Sequence, residues 1–473
     1  MPQQPVSTAT QPSQDPSVPS TRREFLKAAA IGAATVAGAV SPTHASVKHS
    51  AAVASTQANS RIGLGIVGVG GRGTALFFDL LNRSRTAQDV EIVAVCDVWD
   101  RRTQDRVRDT GGRARGTRDY RELLHMPGVD AVVIATPDHW HSRITIDAMR
   151  AGKDVYCEKP LTLYWKQAKE VAKVSAETGR VLQCGAGSGS DGNWWTAGDI
   201  VKQGGIGPVI WAQGGAFRND PGGDWNWPIQ PCRPGKDLDW DMWLGWRFGL
   251  APKRPYDPER YSRFRKFWDY SGGLATDLLY HVYAHLAIAL NHQFPYRVAA
   301  TGGQPIHNLK NDHREVPTLF TMLADYPNQS TLFMIGTQEC DDAIPDMIRG
   351  QKAVLTPGGP GLIVRPQNAF RKEMLDMAHT LECYRGAELV THKDGDTTVL
   401  DEIRVPPRYN YDHMGNWLEC IRTRRQPTLN AERAYHVMIP IALSVMAFRA
   451  GRDIYFDPEK EEVVERNPLP ASV

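Results

Sequence analysis

The sequence predicts a two-part protein. A doubly wound parallel α/β sheet spans residues 61–185, and an α+β domain on a large, mostly antiparallel sheet spans 186–455. Three observations predict it. Between 61 and 185 short apolar runs alternate with helical stretches, the pattern of βαβ units. The first run empties into a glycine turn, Gly68-Val-Gly-Gly-Arg-Gly73. After 185 the alternation gives way to β-rich runs with few helices between them, which suits a sheet with one covered and one open face.

Residues 1–20 are rich in Pro, Ser, Thr and Gln and are expected to be disordered. Thr21-Arg-Arg-Glu-Phe-Leu-Lys27 then precedes an apolar, small-residue run over 28–40, with small residues near Ala45. A basic start and a short apolar stretch make a secretory signal and not a membrane span. The paired Arg22 and Arg23 resemble the twin-arginine export signal. Residues 1–45 therefore read as lead and signal, 46–60 as a linker, and the protein as exported to the periplasm, with no membrane contact once the signal is removed.

Five strands are expected at 62–67, 90–96, 130–135, 154–157 and 181–184, with helices at 74–82, 100–109, 140–151 and 163–179. The first strand runs into Gly68, Gly70 and Gly73, which fit G-x-G-x-x-G. The first glycine allows a tight turn, the second lets a pyrophosphate approach the backbone, and the third lets the next helix pack on the strand. The N–H groups that open that helix, with Gly71 and Arg72, would face the phosphates. The second strand ends in Asp97, 24 residues after Gly73. A carboxylate there accepts bonds from the ribose hydroxyls and repels a 2′-phosphate, which favours NAD over NADP. Arg101 and Arg102 lie just beyond and keep NADP in view. The first part reads as an NAD(P)-binding Rossmann domain.

In the second part strands are expected at 208–217, 297–303, 316–325, 329–336, 347–355 and 397–404, helices at 409–425 and 431–450, and a tail at 456–473. Residues 186–270 are rich in tryptophan. Flat rings suit the C–H faces of sugars. Trp194 and Trp195, after a Gly/Ser-rich loop, are the substrate-contact candidates, whereas Trp240, Trp243 and Trp246 read as anchors of an irregular segment. A net charge of +2 with no basic block past the signal gives no reason to expect nucleic acid. Seven scattered cysteines support neither a disulfide framework nor a zinc site.

Ligands in doubly wound sheets bind at the carboxyl ends of the strands. Two of those loops carry Thr136-Pro-Asp-His-Trp-His141 and Glu158-Lys159-Pro160. With the glycine turn, and with Trp268-Asp-Tyr-Ser-Gly-Gly-Leu-Ala-Thr-Asp277-Leu-Leu-Tyr-His281 further on, the chain resembles the glucose–fructose oxidoreductase / inositol dehydrogenase / MocA (Gfo/Idh/MocA) family over about 61–455. The resemblance implies a sugar, polyol or glycoside as substrate, last helices that return to the nucleotide domain, and a homo-oligomer formed through the open sheet face. It also implies that Thr136, Pro137, His141 and Glu158 lie at the cofactor, and it requires no metal. One departure stands out. Where many relatives carry a Gln and an Arg that lead into the pocket, this chain has Gly185-Ala-Gly-Ser-Gly-Ser-Asp-Gly-Asn193.

Oxidising a carbinol needs a hydride acceptor and a base. Lys159, at the mouth of the cleft, and His281 are the candidates for the base, and the sequence leaves open which moves the proton. Asp277 is four residues before His281, one turn away on a helix, where it could hold a substrate hydroxyl or orient the imidazole. His139 reads as a helix-start residue and His285 as core. The reading is an NAD-dependent oxidoreductase acting on carbohydrate CH–OH groups. The alternative is a redox-assisted glycosidase or lyase that keeps its NAD and returns the hydride.

Overall fold

A computed structural model of the chain describes residues 61–306 and 312–469. The expected lead, signal and linker lie outside the described residues.

The first domain holds six parallel strands: β1 (Ile62–Val67), β2 (Val90–Cys96), β3 (Arg115–Thr117), β4 (Ala131–Ile134), β5 (Asp154–Cys157) and β6 (Leu182–Cys184). Their order is β3-β2-β1-β4-β5-β6. Helices α1 (Gly71–Thr86), α2 (Asp100–Asp109), α3 (Tyr120–Leu124), α4 (Asp138–Arg150) and α5 (Trp165–Thr178) make the crossovers. Every residue of β1, β4 and β5 is buried, as covered faces on both sides require. The order reverses between β1 and β4, so the strand ends there open a crevice. The short β3 and α3 escaped the sequence reading because three- and five-residue elements carry no full hydrophobic period.

The second sheet has twelve strands: β7 (Val209–Asn219), β8 (Arg297–Gly303), β9 (Leu319–Asp325), β10 (Thr331–Thr337), β11 (Glu339–Cys340), β12 (Met347–Gly350), β13 (Ala353–Gly358), β14 (Gly361–Pro366), β15 (Glu388–Asp394), β16 (Thr397–Val405), β17 (Ile454–Asp457) and β18 (Glu462–Val464). Only the β7–β10 pair is parallel. The run expected as one strand at 347–355 is a hairpin, β12 turning into β13. The segment expected as a tail from 456 is not one. β17 pairs with β8 and β18 with β17, so they extend the sheet edge.

Helices α6 (Gly192–Lys202), α7 (Trp240–Leu244), α8 (Pro258–Ser262), α9 (Tyr280–Ala289), α10 (Arg371–Thr380), α11 (His413–Thr423) and α12 (Ala431–Ala450) complete the fold. In β9 and β10 alternate residues are buried, among them Phe320, Met322, Leu332 and Met334, and one core joins them to α9 and α12. α11 returns to the first domain and buries Trp417, Leu418 and Cys420 with Ile62, Leu64 and Ile66. These returning helices bring the second domain over the strand ends.

Candidate active site

A cleft of about 770 Å³ runs along the carboxyl ends of the parallel strands and into the second domain. The glycine turn forms one end. Gly68 has φ +82, a conformation that only glycine adopts without strain. Gly73 lies behind the turn, where an added Cβ would overlap the Gly68 carbonyl oxygen. The 16-residue α1 that follows has no side-chain cap and no acidic residue in its first turn, so its N-terminal N–H groups favour an anion. Asp97 is held by Val69 N–H (2.9 Å) and Trp99 N–H (3.0 Å) and lines the cleft, with Arg102 at 3.8 Å. Thr136 Oγ1 is buried without a partner among the described residues, at the position expected to line a cofactor ribose. Arg72 in the turn donates to Glu158 Oε1 at 2.7 Å and ties the turn to the end of β5. This set fits a dinucleotide, and Asp97 fits the one without a 2′-phosphate. Gly73→Ala is expected to weaken NAD binding at least tenfold by pushing α1 off the turn. Fluorescence titration with NADH measures it.

At the other end the expected Lys159, Asp277 and His281 converge. Asp277 sits in a π-helical turn, Ala275–Leu279, that runs into α9, where His281 lies. Turns of this kind recur at functional sites. Lys159 Nζ donates to Asp277 Oδ1 (2.6 Å) and to the Asp277 carbonyl (2.7 Å). Two partners leave one N–H of the ammonium group for a ligand. Two further groups hold the same carboxylate. Arg265 Nε donates to Oδ1 at 2.7 Å and Trp225 Nε1 to Oδ2 at 3.2 Å. Burial by itself would raise the Asp277 carboxyl, but the Arg265 and Lys159 cations hold it far below the usual carboxylate range. Asp277 therefore stays ionised and does not serve as the base.

His281 lines the cleft, and its ring has no hydrogen-bond partner among the described residues. Burial, reinforced by the Lys159 charge, pushes it down to about 3. It is neutral at ordinary pH and can accept a proton. The four-residue spacing offers Asp277 as the group that orients this imidazole. Instead the carboxylate binds Lys159, Arg265 and Trp225.

Three expectations are corrected. His141 does not line the cleft. It is 1 % exposed, and its ring nitrogens face the carbonyls of Pro160 (2.6 Å) and Thr136 (2.9 Å), so it ties two site loops together. Trp194 does not reach the cleft either, because it is buried against α9 and stacks on His285 at 4.5 Å. Trp195 packs against Tyr409 and Tyr411. The tryptophans that do line the cleft are Trp140, Trp225, Trp227 and Trp243.

The sequence reading missed Arg265, Trp225 as a carboxylate partner, and Asp138. Asp138 lines the cleft and accepts from Thr276 Oγ1 at 3.2 Å, and burial raises its carboxyl. Arg265 lies in a three-residue 3₁₀ turn, Phe264–Lys266, too short to carry a period that marks it. For Asp138 the only signal was its place in the Thr136–His141 loop.

His139 donates from Nε2 to the Trp243 carbonyl (3.0 Å), and burial pushes it down to about 3. The unfolded chain takes up this proton below about pH 6.5, whereas the folded one does so only near 3. The stability this group contributes is complete above 6.5 and is lost as pH falls through that window, by about 1.4 kcal/mol per pH unit. Melting temperatures from pH 7 to 4 should fall, and less steeply in His139→Gln.

Residues 62–186 match the model of an oxidoreductase family with an NAD-binding Rossmann fold, and 222–333 match that family's C-terminal alpha/beta domain. The chain is 36% identical over 124 residues to an inositol 2-dehydrogenase/D-chiro-inositol 3-dehydrogenase of Lactiplantibacillus plantarum, a match covering 26% of this chain and 34% of that one. It is 32% identical over 168 residues to a glycosyl hydrolase family 109 protein of Stenotrophomonas maltophilia, covering 33% of this chain and 34% of that one. The chain thus spans about a third of the length of these relatives. Among solved structures, the WlbA dehydrogenase of Bordetella pertussis, in complex with NADH and UDP-GlcNAcA, shares the fold. Its TM-score is 0.58 at 16% identity, and the match covers 84% of this chain and 98% of that one.

Proposed function

From a chain that belongs to the Gfo/Idh/MocA oxidoreductase family, whose two domain models together match half of it, we propose an NAD-dependent oxidoreductase acting on a CH–OH group of a sugar, polyol or glycoside. One observation carries the reading. The neutral His281 and the Lys159–Asp277 pair face the same cleft as the glycine turn and Asp97.

The nicotinamide, when bound, accepts or returns the hydride of the carbinol carbon. A ring nitrogen of His281 takes the hydroxyl proton, and the free N–H of Lys159 donates to the same oxygen as negative charge develops on it. Asp277 keeps the ammonium group in place and balances its charge. The reverse reaction returns the proton from His281.

The test is nicotinamide absorbance of NAD-loaded protein against a panel of sugars, polyols and glycosides. Steady accumulation of reduced nicotinamide is expected, and no change with any compound would refute the reading. The relative in glycosyl hydrolase family 109 fits a second reading, a redox-assisted glycosidase or lyase that keeps its NAD. A rise limited to one equivalent per site, with release of aglycone, would select it.

Two further proposals accompany this one. The Arg22–Arg23 segment supports export by the twin-arginine route to the periplasm. Cell fractionation should find an Arg22→Lys, Arg23→Lys variant retained in the cytoplasm. A homo-oligomer through the open sheet face is supported by Trp211 (40 % exposed) and Leu323 (45 % exposed) on strands β7 and β9. Light scattering should report a smaller species for Leu323→Glu; an unchanged mass would exclude that face.

A further inference from the structure

We propose that the cleft carries a second saccharide subsite, built on Trp227, that takes the uncharged pyranose ring next to the unit being oxidised; this rests on the reading above and makes the substrate a glycoside of at least two rings. Trp227 lines the cleft and is nevertheless 45 % exposed. A large ring left in water at a cleft wall has apolar area to offer a ligand. The Arg265 guanidinium lies over this ring at 5.3 Å. The same Arg265 donates to Asp277, which holds Lys159. One side chain therefore links the indole to the carboxylate that orients the reacting end.

The ring is held on a rigid support although its segment has no regular secondary structure. Lys266 is 0 % exposed, and its three N–H groups have three acceptors: Glu259 Oε1 (2.6 Å), Asp312 Oδ1 (2.7 Å) and Asn226 Oδ1 (2.9 Å). Arg314 binds Asp312 (2.6 Å) and the carbonyl of Asp224 (2.9 Å). Arg263 Nε donates to the carbonyl of Trp227 itself at 2.8 Å. Between them Trp225 has φ +69, a left-handed conformation costly for a residue with a side chain. Buried charges are expensive to desolvate. Here they hold a turn that sends Trp225 inward to Asp277 and leaves the Trp227 ring outward.

The chemistry at the subsite selects an uncharged, hydroxylated ring. The Arg265 guanidinium over Trp227 already binds Asp277, a carboxylate it shares with Lys159, and the cleft-lining Arg218 binds Asp224 (3.1 Å). An anionic ligand would have to compete with those carboxylates. A pyranose brings a C–H face for the indole and hydroxyls for Gln230 and Ser262, which also line the cleft. Gly187 leaves room as well, since it lines the cleft and an added Cβ would meet nothing within 4 Å.

The test is calorimetric binding of cellobiose, maltose, lactose and melibiose, and of methyl glucoside and methyl galactoside, to the NAD-loaded full chain. Wild type, Trp227→Ala and Trp227→Phe are compared, and nicotinamide absorbance is followed in parallel. At least one disaccharide should bind about tenfold more tightly than its monosaccharide. Trp227→Ala should remove that advantage and Trp227→Phe retain most of it, with the kinetic effect in KM and not in kcat. Equal losses on both sugar classes, an unchanged preference in Trp227→Ala, or no preference in wild type would overturn the subsite. Monosaccharide turnover without a disaccharide preference discards the subsite and keeps the reaction. Disaccharide binding that depends on Trp227 but gives no nicotinamide signal keeps the subsite and discards the reaction.

Discussion

Asp277→Asn is expected to cost both activity and fold. The carboxylate is the common anion for Lys159 and Arg265, at 2.6 and 2.7 Å. Removing its charge leaves two cations side by side without the carboxylate that both of them bind. Breaking a buried pair from one side costs about 3–5 kcal/mol, because the remaining charge stays desolvated. The anion also offsets part of the downward push on His281, so its loss makes that imidazole a still weaker base. Turnover should fall at least a hundredfold, with a clear drop in melting temperature. Lys159→Met is the informative contrast, because Asp277 keeps Arg265 and Trp225 as partners. That variant should lose comparable activity while its melting temperature changes much less. Equal stability losses in the two variants would mean that Asp277 is not the hub.

His281→Ala should lower kcat by about a hundred- to ten-thousandfold, the usual weight of a general base. NADH affinity should stay within about twofold, because the glycine turn and Asp97 lie at the other end of the cleft. The wild-type pH profile carries a second signature. Since burial and Lys159 hold His281 down to about 3, its deprotonated form is present throughout pH 5–8. The acid limb near 6.5 that an ordinary histidine base would give should be absent. A limb at 6.5 that disappears in His281→Ala would show that the imidazole titrates normally and would remove the electrostatic argument for its role. Full activity in His281→Ala would remove the role itself.

The nucleotide half of the cleft was legible from the chain because its signals are local. Gly68, Gly70 and Gly73 fall within one turn, Asp97 ends the next strand, and each residue type answers a backbone demand a few positions away. The loop that holds Lys159 was legible as well, because sheet topology brings strand ends to one crevice, whereas Asp277 and His281 were legible through the Asp-x-x-x-His spacing of the family resemblance. Their pairing, however, spans 118 residues from Lys159 to Asp277.

The rest was decided by tertiary structure. Trp194 and Trp195 looked like cleft residues from their place after a flexible loop, yet α6 turns them into the second domain's packing. Trp225 and Trp227, in a stretch with neither helical nor strand period, reach the site because Lys266, Asp312 and Arg314 fold that stretch over the cleft. His141 had the residue type of a site group, and only the facing carbonyls of Thr136 and Pro160 give it a structural task. Sequence alone determined the sheet, the turn and the kinds of groups at its edge, because periodicity and turn chemistry act over a few residues. Which cations share one carboxylate, and which indole faces the cleft, depended on desolvated contacts between distant segments. Those energies exist only once the chain has closed around them.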